Sequence, residues 1–238
     1  MYNWFILTGT ETDKESFVSY RASAVMKQKI IQKSEQLFRK QGFSHTSMRQ
    51  IADACGIALG NLNYYYPKKE DLIMEHHNIL MDAFVDQARQ HQLNEDPWTS
   101  YFAAESDFVL RIAMDAEVRR LYREVINMET LRNEYYQKHQ ALFQMYIPLE
   151  DLKQEYPEAD EELVRIAVIA MCSLEFQLIS LYEWDGAEPD VSPIIKNGLR
   201  TLLLFLNLDP HSKDAELDRG VALGRRAFEE YSNPDLIY

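Results

Sequence analysis

Apolar positions recur at three- and four-residue intervals along most of the chain, the spacing of helical faces. From about Met26 to Gln41, the residues Ile30, Ile31, Leu37 and Phe38 share one such face, and Ser34 is small enough to lie against a neighbour. Gly42 ends that helix, where a left-handed C-cap is wanted, and Phe43 anchors the connection. Ser47-x-x-Gln50 has the form of a capping box opening a second helix, which Gly56 ends. A third, short helix runs from Leu59 to Tyr65 or Tyr66, since Pro67 pushes the residue before it out of the α region. Lys69-Glu70-Asp71 then sets acids at the positive end of a fourth helix reaching about Gln92.

Further on, a loop holds Asn94, Asp96 and Pro97, and helices are expected near 98–114, 115–129 and 129–147. Pro148 and Pro157 bracket another connection, and Asp185-Gly186 with Pro189 form a loop. Helices over about 159–183, 191–207 and 212–231 complete the chain. No segment alternates as a strand does, so the fold class is all-α. Three parts are expected: residues 1–25 as a poorly packed arm or an upstream extension without a clean period, a small three-helix domain over 26–72, and a larger helical domain over 73–238. The helix over 159–183 carries no charge between Arg165 and Glu175, nor between Glu175 and Glu183. Ile166, Val168, Ile169, Met171, Leu174, Phe176, Leu178 and Ile179 make it apolar nearly all round, so more than one of its faces is buried. Leu199, Leu202, Leu203, Phe205 and Leu206 repeat that situation.

A hydrophobic share of 46% and a charged share of 26% over 238 residues suit a soluble protein with a real core. No run of about 18 charge-free apolar residues predicts a transmembrane helix. The opening Met1-Tyr2-Asn3-Trp4-Phe5-Ile6-Leu7 is too short and lacks the basic lead-in of a signal peptide, so a cytoplasmic protein is expected. Cys55 and Cys172 stand far apart and read as small buried hydrophobes in a reducing compartment. The net charge of −13 opposes nucleic-acid binding until it is divided along the chain. Lys27, Lys29, Lys33, Arg39, Lys40, Arg49, Lys68 and Lys69 face only Glu35, Asp53 and Glu70 between residues 26 and 70, a local charge of +5. Phosphate affinity follows the local face, not the total. The chain has no nucleophile elbow, phosphate loop or paired-carboxylate motif, and His76, His77, His91 and His139 form no ligand-spaced set. Neither an enzyme nor a cofactor or metal protein is expected.

The segment from Ser47 to Lys69 meets the demands of a helix-turn-helix, which sets its second helix in the major groove of DNA. Counting from Met48, the fifth place needs a small residue where the helices cross, and holds Ala52. The ninth needs a left-handed turn residue, and holds Gly56. Places four, eight, ten and fifteen need a small apolar core, and hold Ile51, Cys55, Ile57 and Leu62. An ordinary helical hairpin would leave Arg49, Asn61, Asn63, Tyr64 and Tyr65 displayed without a reason.

The series Phe38…Gly42-Phe43…Thr46-Ser47-Met48…Ile51-Ala52…Cys55-Gly56-Ile57…Gly60-Asn61-Leu62…Tyr64-Tyr65-Tyr66…Lys69-Glu70-Asp71-Leu72 resembles the N-terminal domain of the TetR/AcrR family of transcriptional regulators. The likeness covers about residues 27–73, under a quarter of the chain. It implies an all-α homodimer, commonly a repressor released from a palindromic operator by a small molecule held in a variable C-terminal effector-binding and dimerisation domain. A regulator or activator without an effector is the alternative. The sequence departs from the commonest pattern at Ala58, where many members carry a capping hydroxyl, and at Asn63 and Tyr65, where many carry tyrosine and histidine.

On this reading Thr46, Ser47 and Arg49 meet phosphate at the start of the second helix. Leu59, Gly60, Asn61 and Asn63 face the groove. Leu59 can pack on a thymine methyl, Asn61 or Asn63 can read an adenine edge, and Gly60 or the helix amides can face a phosphate. Tyr64 and Tyr65 offer hydroxyls to phosphate, and Lys69 matches the family's phosphate contact. Two apolar helices per subunit imply a four-helix dimer interface, with Ile169, Phe176, Leu199 and Leu203 as its candidates. Trp98, Phe102, Tyr135 and Phe143 are candidates for an apolar effector pocket. Glu175, a lone acid in an apolar helix, needs a ligand or a partner such as Arg165 or Arg200.

Overall fold

A computed structural model describes residues 11–90, 95–181 and 190–231 of the chain. Among these residues it contains eleven α-helices and no strand, so the protein is all-α. The chain divides into two units, one ending at His76 and the other beginning at His77.

Unit 1 holds α1 (Glu11–Gln41), α2 (Met48–Cys55), α3 (Leu59–Tyr65) and the first turns of α4 (Lys69–Gln90). The first helix starts fifteen residues earlier than the apolar period predicts, so residues 11–25 are helical where an arm is expected. Ala22 and Ala24 are strong helix formers, and adding turns to an existing helix avoids the cost of a new nucleus. From Arg21 to Val25 the residues are exposed apart from half-buried Ser23. Residues 1–10 lie outside the described residues. Ile30, Ser34 and Phe38 form the buried stripe of α1. Gly42 closes the helix at φ 89°, its amide donating to Phe38 O. The adjacent histidines part company at the boundary. In unit 1, His76 packs edge-on to Phe38 and lies 2.9 Å from Ser34 Oγ. Burial lowers its pKa to about 4, so the ring is neutral at pH 7. The Ser34 hydroxyl already donates to Ile31 O, which leaves the ring N–H as donor to Ser34.

Unit 2 continues with α5 (Pro97–Met114), α6 (Ala116–Val125), α7 (Glu129–Tyr146), α8 (Leu149–Glu155), α9 (Glu161–Leu181), α10 (Ser192–Phe205) and α11 (Asp214–Tyr231). Asp96 caps α5 by accepting from Thr99 N, with Pro97 in the first turn, and Asp115 caps α6 by accepting from Glu117 N and Val118 N. The connection expected between Pro148 and Pro157 is instead the short helix α8, with Pro148 at its N-cap, where a missing N–H costs nothing. The predicted loop around Asp185, Gly186 and Pro189 lies outside the described residues, as do Asn94 and Gln92.

The core centres on α5, buried from Trp98 to Leu110. Its most extensive neighbour is α11. Gly220 and Gly224 permit that approach: a Cβ at either would come within 2.5 Å of Phe102 Cβ or of Ala103 O. Helices α9 and α10 pack on one another, and α9 also meets α7. By length and composition alone α9 could cross a membrane. Here Val164, Ala167, Val168, Met171, Cys172, Phe176 and Ile179 form a stripe buried inside unit 2, the pattern of a core helix.

Candidate functional site

The helix pair in unit 1 is built by local chemistry. The Gln50 amide donates to Ser47 Oγ, and the Ser47 amide donates to Gln50 Oε1 at 2.8 Å, a complete capping box. Gly56 sits at φ 66° and ψ 35°, and around it the Ile57 amide reaches Ala52 O at 3.0 Å. Behind the turn Ile51, Ala52, Cys55 and Leu62 are buried, while Ile57 is only half-buried. Burial raises the Cys55 thiol pKa above its usual value, in keeping with a packing role.

This core leaves the expected recognition residues outward. Gly60, Asn61, Asn63 and Tyr64 are exposed, Tyr64 at 83%, and Leu59 is half-buried. No side chain caps α3 at Ala58, so the departure noted in the sequence is a real gap in the helix start. Tyr65 is half-buried and packs edge-on to Tyr64, and the two join Met26, Ile57 and Asn61 around a shallow cavity. At the start of α2, Ser47 and Arg49 are exposed.

Two expected phosphate contacts stand differently. Thr46 is buried and its hydroxyl donates to Gly42 O at 2.7 Å, so it closes the connection after α1 and is not presented at the surface. This corrects the sequence expectation; the spacing placed Thr46 beside Ser47 but could not show which way its hydroxyl turns. Lys69 Nζ donates to Phe43 O at 2.7 Å and Thr46 O at 2.9 Å and lies 4.2 Å from the centroid of the Phe43 ring. Two of its three N–H donors thus hold the start of α4 to the turn between α1 and α2.

In unit 2 all five expected pocket residues are buried in one core. Trp98 packs against Phe102 and Phe143, with centroids 5.7 and 6.1 Å apart. Tyr135 packs 4.5 Å from Phe176. Glu175 is paired with neither Arg165, which binds Glu162, nor Arg200, which binds Asp214. Glu105 and His139 were not singled out in the sequence, yet they lie together in this core at 2.9 Å. Glu105 carries the same signal as Glu175, an acid inside an apolar helical run. Its partner, 34 positions away on another helix, carries no sequence signal at all.

The expected dimer residues are mostly interior. Phe176, Leu199 and Leu203 are buried within unit 2 itself, and only Ile169 keeps partial exposure. A helix apolar all round does not announce which side its own core takes. The apolar surface left on α9 and α10 consists of Ile166 at 40%, Leu204 at 56% and Phe205 at 43% exposure, with Leu174 and Leu178 beside them.

Residues 30–75 match the family model described as bacterial regulatory proteins, tetR family. The chain is 29% identical over 145 residues to the probable HTH-type transcriptional regulator YttP of Bacillus subtilis strain 168, covering 55% of this chain and 67% of that protein. Its fold is similar to that of Thermus thermophilus FadR, a TetR-family repressor solved in complex with lauroyl-CoA, with a TM-score of 0.59, 18% identity and coverage of 74% and 92% of the two chains. It is also similar to NalD, the secondary repressor of the MexAB-OprM efflux pump of Pseudomonas aeruginosa, with a TM-score of 0.50, 22% identity and coverage of 76% and 97%.

Proposed function

We propose that this chain, which belongs to the tetR family of bacterial regulatory proteins, is a homodimeric repressor that leaves a palindromic operator when a small molecule binds unit 2. The observation that carries the reading is α3. It is a short helix anchored by buried Leu62, displaying Leu59, Gly60, Asn61, Asn63 and Tyr64, within the basic part of an acidic chain. Asn61 and Asn63 read base edges; Ser47, Arg49, Tyr64 and the Tyr65 hydroxyl hold phosphates. The dimer forms across α9 and α10 through Ile166, Ile169, Leu174, Leu204 and Phe205, and its two-fold axis matches the operator. The FadR complex with lauroyl-CoA supports a ligand-holding role for this fold. The protein works in the cytoplasm, where its DNA is.

Lys69 is a strut that also turns its third N–H to a phosphate. Lys69→Met is expected to lower the stability of unit 1 by about 1–3 kcal/mol, since a charged donor is lost to two carbonyls. It is also expected to reduce the slope of log affinity against log salt by about 0.9, the share of one phosphate. Thermal melts with salt-dependent anisotropy separate the two roles, and a lower melting point with an unchanged slope leaves the strut alone.

The reading as a whole is tested by gel shift on DNA upstream of the chain's own gene, followed by selection of bound sequences from a random pool. A shifted band, a palindromic consensus and release by lauroyl-CoA or another member of a small-molecule panel are expected. No shift at low salt on any fragment sinks it. A shift that no compound reverses retains the DNA-binding regulator and removes the effector.

A further inference from the structure

The interior of unit 2 holds more hydrogen-bonding capacity than the protein itself uses. Glu105 of α5 and His139 of α7 are both fully buried, His139 Nδ1 lying 2.9 Å from Glu105 Oε1. Glu105 Oε2, His139 Nε2 and both carboxylate oxygens of Glu175 have no hydrogen-bond partner. Glu175 of α9 is 1% exposed. Its carboxyl group occupies room that only glycine leaves, for a Cβ at Gly198 would stand 2.3 Å from Glu175 Oε1.

The surroundings are aromatic. The His139 ring lies 4.1 Å from Tyr135 and 4.8 Å from Phe108, and Tyr135 lies 4.5 Å from Phe176. Burial and then the charge of Glu105 raise the Glu175 pKa well above the carboxylate range. The same two glutamates help burial raise the hydroxyls of Tyr101 and Tyr135. Leucine or glutamine at position 175 would fill similar volume without burying an unpaired acid. Among the described residues no group of three or more His, Cys, Asp or Glu is placed to hold a metal ion. An organic cation would complete the arrangement, its N–H groups pairing with carboxylates while its apolar body lies on ring faces.

We propose that Glu175 and Glu105 are the recognition point for an effector that carries a protonated amine or amidine on an aromatic body, with Phe108, Tyr135 and Phe176 as its walls. The proposal rests on the effector-release reading and assigns that pocket its ligand class.

The test is isothermal titration of the full-length protein without DNA, using 1-naphthylmethylamine and its neutral counterpart 1-naphthalenemethanol. The amine is expected to bind at least about tenfold tighter, the effect of a charged hydrogen bond out of water. Glu175→Gln keeps the side-chain shape and is expected to bring that preference within about twofold, with Glu105→Gln reducing it in part. A melting point of Glu175→Gln at or above that of the unsubstituted protein shows that the fold is kept. Gly198→Ala, which drives the carboxylate from its place, is a second route to the same loss. Equal binding of the two compounds, no binding of either, or a preference that survives Glu175→Gln overturns the proposal. Operator release is followed separately by anisotropy. Amine binding without release leaves this site standing and removes the release mechanism, whereas release by other compounds with no amine preference does the reverse.

Discussion

Leu62→Ala is expected to remove operator binding while leaving unit 2 folded. Leu62 is the only fully buried side chain of α3, which packs on α2, where Ile51, Ala52 and Cys55 are buried. Truncating a buried leucine to alanine costs about 2–5 kcal/mol, with the upper part of that range where the cavity cannot collapse. Collapse is restricted here, because Gly56 and the capping box fix both ends of α2. Domains of ordinary stability have about 5–15 kcal/mol in hand, and a unit of this size lies near the lower end. Global unfolding alone would cost little affinity, but without its anchor α3 can leave its docked position by a local opening, and operator affinity is expected to fall by about thirtyfold, the equivalent of 2 kcal/mol. Hydrogen exchange is expected to quicken in α2 and α3, with the buried amides of α5 and α9 unchanged. Leu59→Ala is the matched control: Leu59 is half-buried on the displayed side of α3, so that substitution alters base preference with little change in exchange. Unchanged exchange and affinity in Leu62→Ala would show that this leucine does not hold the recognition helix.

That Leu62 could be named from sequence reflects how local the motif is. The Ser47–Gln50 box and the left-handed Gly56 are each set by residues fewer than five positions away, and the small Ala52 answers to a helix that begins at Leu59. The family resemblance adds function to a pattern that spacing alone already fixes. Long-range choices were less legible. Residues 11–25 show no amphipathic period, and from Arg21 to Val25 only Ser23 is half-buried, yet the helix continues through them. Thr46 and Ser47 are chemically alike neighbours, but one turns into the fold and the other to the surface. His139 acquires its meaning from Glu105, brought to it only when α5 and α7 pack.

The dimer residues show the same limit and lead to the second large effect. The sequence marks α9 and α10 as apolar nearly all round, but Phe176, Leu199 and Leu203 are taken by the core of unit 2 itself. What remains for a partner is the strip around Leu204, in a shallow groove lined also by Leu174, Leu178, Asn197, Arg200, Thr201 and Pro210. In a two-fold interface every substitution enters twice, and residues near the axis meet their own copies. Leu204→Asp would bury two carboxylates in a groove whose cation, Arg200, is already bound to Asp214, each costing several kcal/mol. Sedimentation is expected to show monomers at micromolar concentration, with unit 2 still folded because Leu204 lies outside its own core. Operator affinity is expected to fall by about 10²–10⁴, the advantage that linkage gives a second half-site, while binding to a single half-site is retained. Leu204→Met keeps the apolar surface and is expected to keep the dimer. If Leu204→Asp sediments as a dimer and binds the full operator unchanged, the interface lies elsewhere. If the unsubstituted protein is itself monomeric, the two-fold reading of the operator falls with it.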